Sequence, residues 1–172
     1  MKRRSPESFG GEYETGLGTV QAVGFGGVEY MKGGVGSHPV FGSMVLVGLD
    51  RYVSAVGEYA YNATGGFGVA GVSTSVQDVS GGIDIHPSGM RVVPYGSFGI
   101  GGQRLGGSAS ANGYSASLST WEGGFNFGGG VRVYLTRRIG IDLDVRGLRA
   151  FNDQLGVGLF GRATGGLFFQ FN

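Results

Sequence analysis

From Ile139 to Val145 the chain alternates strictly. Ile139, Ile141, Leu143 and Val145 hold the odd positions, and Gly140, Asp142, Asp144 and then Arg146 hold the even ones. Backwards from Leu135 the split recurs: Leu135, Val133, Val131, Gly129, Phe127 and Phe125 against Tyr134, Arg132, Gly130, Gly128, Asn126 and Gly124. A period of two is the signature of a strand with one apolar face and one small or charged face. Thr136-Arg137-Arg138 lies between the runs and has the length of a tight hairpin. Read as a three-residue loop, it sets Leu135 opposite Ile139, Val133 opposite Ile141 and Arg132 opposite Asp142. Each pair then matches like with like, and a slip of one residue would undo all three.

The same reading along the chain predicts eight strands, at about Val20–Met31, Val40–Leu49, Tyr52–Tyr61, Val69–Ile85, Arg91–Gln103, Ser119–Leu135, Arg138–Ala150 and Val157–Asn172. Leu49–Tyr52 and His86–Met90 are further short connections. Lys32–Pro39, Asn62–Gly68, Arg104–Leu118 and Phe151–Gly156 are longer or richer in small polar residues, so short and long connections alternate. Arg104–Leu118, rich in Gly, Ser and Ala, reads as a mobile loop. Pro94 falls near a strand start, where a missing donor is tolerated. Met1–Thr19 receives no strand and forms an N-terminal extension to a single domain over 20–172, although Phe9-Gly10-Gly11-Glu12-Tyr13 echoes Phe25–Tyr30.

Composition narrows the class. The 172 residues include 39 Gly, 4 Pro and no Cys. Without a Gly-X-Y period this is not collagen. Glycine at this level also disfavours helices, at about 1 kcal/mol per interior position relative to Ala. The absence of Cys excludes a disulfide framework and thiolate metal sites. With 13 basic and 12 acidic side chains, no acidic partner such as nucleic acid is advertised. No window of 18 apolar residues exists, which excludes a transmembrane helix. Met1-Lys2-Arg3-Arg4 resembles the start of a signal peptide, but Ser5-Pro6-Glu7-Ser8 follows without an apolar stretch. The expectation is therefore either that a signal is missing from this sequence or that export takes another route.

Alternation alone does not say which face is wet. A soluble sandwich hides its apolar face, whereas a membrane barrel turns it outward. Three features favour the membrane reading. The strands reach the ~9–11 residues that a tilted strand needs to cross a bilayer. The polar face is crowded with Gly, as in a narrow eight-stranded lumen. Aromatic residues gather near strand ends (Tyr30, Tyr59, Tyr61, Trp121, Phe168, Phe169 and Phe171), as interfacial girdles require. The predicted fold is all-β: a closed antiparallel eight-stranded transmembrane β-barrel, an up-and-down meander. Its outer belt holds Val131, Val133, Ile139, Ile141, Leu143, Val145, Leu167 and Phe169.

Phe25–Tyr30, Val93–Gly102, Phe127–Arg146 and the ending Thr164-Gly165-Gly166-Leu167-Phe168-Phe169-Gln170-Phe171-Asn172 resemble the small eight-stranded outer-membrane β-barrels, the OmpA/OmpX-like group and its generic outer membrane protein beta-barrel domain. The resemblance covers about residues 20–172. The ending is similar to the signal read by the barrel assembly machinery, with Thr164, Gly166, Phe169 and Phe171 in the matching places. Asn172 departs from it, because such chains usually end on the aromatic. The resemblance implies a bacterial outer-membrane location, short turns and both termini on the periplasmic side, and long loops outside. It also implies a monomer in contact with outer-membrane lipid and lipopolysaccharide, inserted by the assembly machinery; no cofactor and no nucleic-acid partner is expected.

Candidate chemistry is sparse. His86-Pro87-Ser88 has the H-x-S spacing of outer-membrane lipid A deacylases, which would make Ser88 a nucleophile and His86 its base. Pro87 and Gly89 instead mark a solvated turn on the periplasmic side, away from outer-leaflet lipid. His38, beside Pro39 in the first outer loop, has no His or Cys partner for a metal. Gly24, Gly26 and Gly27 lack the helix and Lys-Ser/Thr of a phosphate loop. Asp142 and Asp144 could share a proton as a catalytic pair. Nearby arginines would instead keep both ionised, in a lumen network of Glu29, Glu58, Asp84, Arg132, Asp142, Asp144, Arg146 and Arg162.

The expected role is therefore a non-enzymatic barrel with a plugged lumen, acting structurally or through Lys32–Pro39 and Arg104–Leu118. No catalytic, cofactor or metal residue is assigned. A lipid-modifying barrel enzyme, a narrow passive pore and a soluble or secreted glycine-rich β-protein stand as alternatives.

Overall fold

Eight strands hydrogen-bond in chain order and close on themselves: β1 (Val20–Met31), β2 (Ser37–Gly48), β3 (Val53–Gly65), β4 (Val72–Ile85), β5 (Val92–Ala111), β6 (Tyr114–Tyr134), β7 (Ile139–Ala150) and β8 (Phe160–Phe171). Every neighbouring pair is antiparallel, and β1 closes the barrel against β8. This computed structural model describes residues 16–31, 37–65, 72–111, 114–151 and 160–171. Among them no helix is long and apolar enough to cross a membrane. The predicted all-β, closed, up-and-down architecture is the observed one.

The polarity is inverted relative to a soluble protein. Leu143, Val145 and Leu167 are more than half exposed on the outside, while Arg132, Asp142, Arg146 and Arg162 are only 2–3% exposed inside. Every member of the predicted belt faces outward or is partly exposed. Tyr30, Tyr59, Tyr61, Trp121, Phe169 and Phe171 also lie on the outer surface. Phe168 departs from the predicted girdle. It occupies an even position of β8, points inward at 1% exposure and packs edge-on against Tyr134 at 4.8 Å.

Short turns close one end. Leu135 N–H and Thr136 N–H both donate to the Ile139 carbonyl, at 2.9 and 3.0 Å. The Thr136 hydroxyl oxygen accepts from Ile139 N–H at 3.0 Å. Arg132 then stands opposite Asp142, as the hairpin arithmetic predicts. Gly89 carries the turn between β4 and β5 with a φ of +76°, a conformation that side-chain-bearing residues rarely adopt. Gly18 N–H donates to the Gly48 carbonyl at 2.9 Å, so the end of the N-terminal extension is tied to this rim. Phe9–Tyr13 lies outside the described residues.

The other end is uneven. Arg104–Leu118, expected as a mobile loop, is over its described residues, 104–111 and 114–118, the paired top of β5 and β6, with register running to Ala111 opposite Tyr114. Its small residues sustain an extended ribbon, because backbone hydrogen bonds need no bulky side chains. β3 and β4 climb with it, to Gly65 opposite Ser73, whereas β6–β7 pairing stops at Gly124 opposite Ala150. At about 3.3 Å per residue, the 20 residues of β5 span well beyond a ~30 Å hydrocarbon core even when tilted. Of the first outer connection, Ser37–Pro39 already belongs to β2. Residues 152–159, with most of the Phe151–Gly156 connection and the expected strand start at Val157, lie outside the described residues, as do 66–71 and Asn172.

Candidate functional site: the barrel lumen

The buried residues hold odd positions in β1 and β5 and even positions in β2 to β4 and β6 to β8, because each strand enters the barrel in its own phase. Within every strand, however, alternate residues converge on the lumen and fill it in three levels.

At the turn end, Gln21, Tyr134 and Gln170 form a buried polar cap. Gln21 Nε2 donates to Tyr134 Oη at 2.7 Å and to Gln170 Oε1 at 2.9 Å. The Tyr134 hydroxyl donates to the same Gln170 oxygen at 2.8 Å. Phe168 lies beneath, against Gly140, where a β-carbon would come within 2.4 Å of its ring. His86 belongs to this level. The sequence places it in a solvated turn, yet it is 3% exposed, with Nε2 3.0 Å from Ser54 Oγ and Nδ1 3.2 Å from the Pro87 carbonyl. The hydroxyl of β3 draws the ring inward past the end of β4. Burial pushes its pKa below the ordinary value of 6.5. Ser88, the other half of the H-x-S spacing, is half-buried on the turn.

The middle level is ionic. Arg132 donates through Nη2 to Asp84 Oδ2, and its Nε lies 3.3 Å from Asp142 Oδ1. Its guanidinium sits 4.0 Å from the centre of the Tyr95 ring. The Tyr95 hydroxyl donates to Asp144 Oδ2 at 2.7 Å and approaches Asp142 Oδ2 at 3.3 Å. Tyr95 reaches Asp144 by crossing Gly130, whose absent β-carbon would stand 2.7 Å from the phenol oxygen. Arg146 donates from Nε to both oxygens of Asp144, at 2.9 and 3.1 Å. Arg146 and Arg162 are register partners on β7 and β8, a like-charge pairing that is unfavourable by itself. Glu58 reaches across the lumen and accepts from both: Oε2 from Arg146 Nη1 at 2.9 Å, and Oε1 from Arg162 Nη2. Arg146 Nη2 also meets the Met44 thioether at 3.6 Å.

The third level lies at the mouth. Glu29, predicted in the network, is 2% exposed and stands in register with Arg162 and His38, and no ion pair within 4 Å joins it to another of the described residues. His38 itself is on β2, half-buried, rather than in a loop. Asp78, Asn62 and Asn126 are buried here too. Sequence reasoning passed over Asp78, Tyr95 and Asn126, although Asp78 shares the phase of Asp84 and was open to the same argument. Of the proposed assembly residues, Thr164 and Gly166 face inward and Phe169 and Phe171 outward, on the strand that seals the barrel. Among the described residues, no group of three His, Cys, Asp or Glu is placed to hold a metal.

No protein-family model matches the chain, and no curated protein matches it. Solved structures do. The N-terminal β-barrel domain of Pseudomonas aeruginosa OprF is 16% identical, covers 91% of this chain and 99% of its own, and superposes with a TM-score of 0.65. Ail, the attachment invasion locus protein of Yersinia pestis, is 16% identical over 90% of this chain and 99% of its own, with a TM-score of 0.63. Neisserial surface protein A is 15% identical over 89% and 96%, with a TM-score of 0.64. The chain has the fold of the small eight-stranded outer-membrane β-barrels.

Proposed function

We propose that the chain is a non-enzymatic integral outer-membrane barrel, with its lumen plugged by the Arg–carboxylate network and its contacts with partners made by the raised β3–β6 wall. The observation that carries this reading is the inverted polarity. Leu143, Val145 and Leu167 face out, while Arg132, Arg146 and Arg162 are locked to Asp84, Asp142, Asp144 and Glu58 within. Hydrocarbon solvates the former, and the latter are neutralised only by one another. In this reading the surrounding molecules are outer-membrane lipid and lipopolysaccharide, and Thr164, Gly166, Phe169 and Phe171 present the assembly signal.

Two observations support a binding rather than a chemical role. Ser54 and His86, within hydrogen-bond reach of each other, are 2% and 3% exposed and closed to substrate. The wall formed by β5 and β6 stands above the rim where β7 ends. The structural relative Ail carries an attachment and invasion name, which fits a role exercised through the outer end.

Membrane fractionation and planar-bilayer recording test the reading. The native protein should sediment with outer membranes, leave them only in detergent, and carry no steady current when refolded into a bilayer. Recovery in a soluble fraction would refute the location, and a stable ohmic conductance would refute the plug.

A further inference from the structure

One arc of the turn-end rim carries three exposed arginines. Arg91 immediately precedes β5, and Arg137 and Arg138 lie in the β6–β7 turn. Arg91 Nε donates to the Tyr134 carbonyl at 3.0 Å, and Tyr134 N–H donates back to the Arg91 carbonyl at 2.9 Å. Gln170 N–H donates to the Arg138 carbonyl at 2.7 Å, which ties the turn to β8. The backbone carrying the arginines is therefore held between strands that lie about 4.7–4.9 Å apart.

The described residues of this arc are strongly positive. Among the described residues Asp50 is the one exposed acid, and it lies on the β2–β3 turn, where its Oδ1 accepts from Arg51 N–H at 2.6 Å. Asp84 and Asp142, inside the barrel, are 0% and 2% exposed and are held by Arg132. On the membrane side of the same arc the outer face is apolar: Val92, Leu135, Ile139, Phe169 and Phe171 are 39–51% exposed. Phe169 and Phe171 pack edge-on at 4.8 Å. Clustered guanidiniums thus border a surface that hydrocarbon solvates.

We infer that Arg91, Arg137 and Arg138 select an anionic glycerophospholipid in the leaflet at the turn end. Its phosphodiester meets the guanidiniums, whose forked donors match phosphate oxygens. Its acyl chains lie on Leu135, Ile139 and the Phe169–Phe171 pair. One molecule therefore satisfies the charge of the rim and the apolar face beside it. A zwitterionic headgroup brings its own ammonium to the arginines and gains less. An acidic protein matches the charge but not the hydrocarbon face. Basic clusters at a membrane edge are drawn to anionic headgroups, each Lys or Arg adding to the attraction. The β2–β3 turn, where Asp50 stands beside Arg51, has no such excess charge. The inference rests on the membrane reading of the barrel and adds to it a lipid class and a place.

The test uses the full chain with Trp121→Phe and Leu135→Trp, so that the single indole stands on this arc. It is refolded into mixed vesicles in which either phosphatidylglycerol or phosphatidylcholine is brominated near the headgroup. Quenching should show phosphatidylglycerol at position 135 in about tenfold excess over its share of the mixture, and the excess should shrink as salt is raised. Arg91→Gln alone should cut the excess about threefold, and Arg91→Gln with Arg137→Gln and Arg138→Gln should bring it to the bulk ratio. Leu49→Trp in place of Leu135→Trp, beside Asp50 and Arg51, should report the bulk ratio throughout. Equal occupancy by the two lipids at position 135 overturns the inference and leaves the barrel in the membrane. So does an excess that survives the triple substitution or appears equally with Leu49→Trp. Quenching by neither lipid overturns the membrane reading and the inference with it. Arg91→Gln decides the matter even if the triple variant fails to refold, because an unchanged excess in it also overturns the inference.

Discussion

Arg132 on β6 donates to Asp84 on β4, a partner 48 residues earlier and two strands away around the barrel. Tyr95, on the strand between them, lies under the guanidinium and ties the pair to Asp142 and Asp144. Four strands, β4 to β7, are thereby joined through side chains as well as backbone, and the charge of a buried arginine is met from two sides.

Removing that arginine should be severe. Arg132→Met leaves Asp84 and Asp142 buried without their cation, and breaking a buried pair in this way costs about 3–5 kcal/mol. Arg132→Met with Asp84→Asn and Asp142→Asn should recover most of the loss. Urea unfolding of the refolded barrel in lipid vesicles measures both. A triple variant no more stable than Arg132→Met alone would contradict the assigned network.

Adjacent residues of β7 should tolerate opposite chemistry. Leu143 is 54% exposed on the outer face and Asp142 is 2% exposed inside. Arginine facing mid-membrane costs ~2–4 kcal/mol. Leu143→Arg should therefore impair insertion into vesicles far more than Asp142→Asn, which keeps the side chain's shape and one acceptor oxygen. Comparable insertion yields would contradict the faces.

His86 makes a pH prediction. Burial lowers its folded pKa, so between that value and the unfolded 6.5 the unfolded chain binds more protons. Its contribution to stability is complete above about 6.5 and declines as the pH falls through that window. Unfolding midpoints of the parent and His86→Gln, measured from pH 8 to pH 5, should converge on acidification. Parallel curves would show that His86 titrates as it does in the unfolded chain.

The raised hairpin should be dispensable for folding. Gly106 stands opposite Ser119, above the point where β7 ends. Replacing residues 107–118 with Asn-Gly at that pair should leave refolding and heat-modifiable gel mobility unchanged. Failure of the shortened chain to fold would mean that the wall nucleates the barrel.

Much of this was legible in the chain because alternation and hairpin length are local. Thr136–Arg138 sets Arg132 opposite Asp142 without any knowledge of the rest. The contact with Asp84 depends on how the barrel closes, which no local pattern encodes. Phe168 lies among the aromatics of the last strand and so reads as a girdle residue, although its phase with Gln170 places it inside. Pro87 and Gly89 mark a real turn but conceal the inward swing of His86 towards Ser54. In Arg104–Leu118, Gly and Ser carry no apolar alternation, so a well-paired ribbon has the composition of a loop.

The central claim is that the aliphatic face of β7 meets hydrocarbon. The single tryptophan offers a direct probe: with Trp121→Phe and Leu143→Trp, the only indole sits in the middle of the belt. Refolded into vesicles of lipids brominated at defined depths, this variant should be quenched most strongly by bromines deep in the acyl chains. The parent, with Trp121 near the rim, should be quenched most by shallow ones. Fluorescence at position 143 indifferent to brominated lipid would contradict the account.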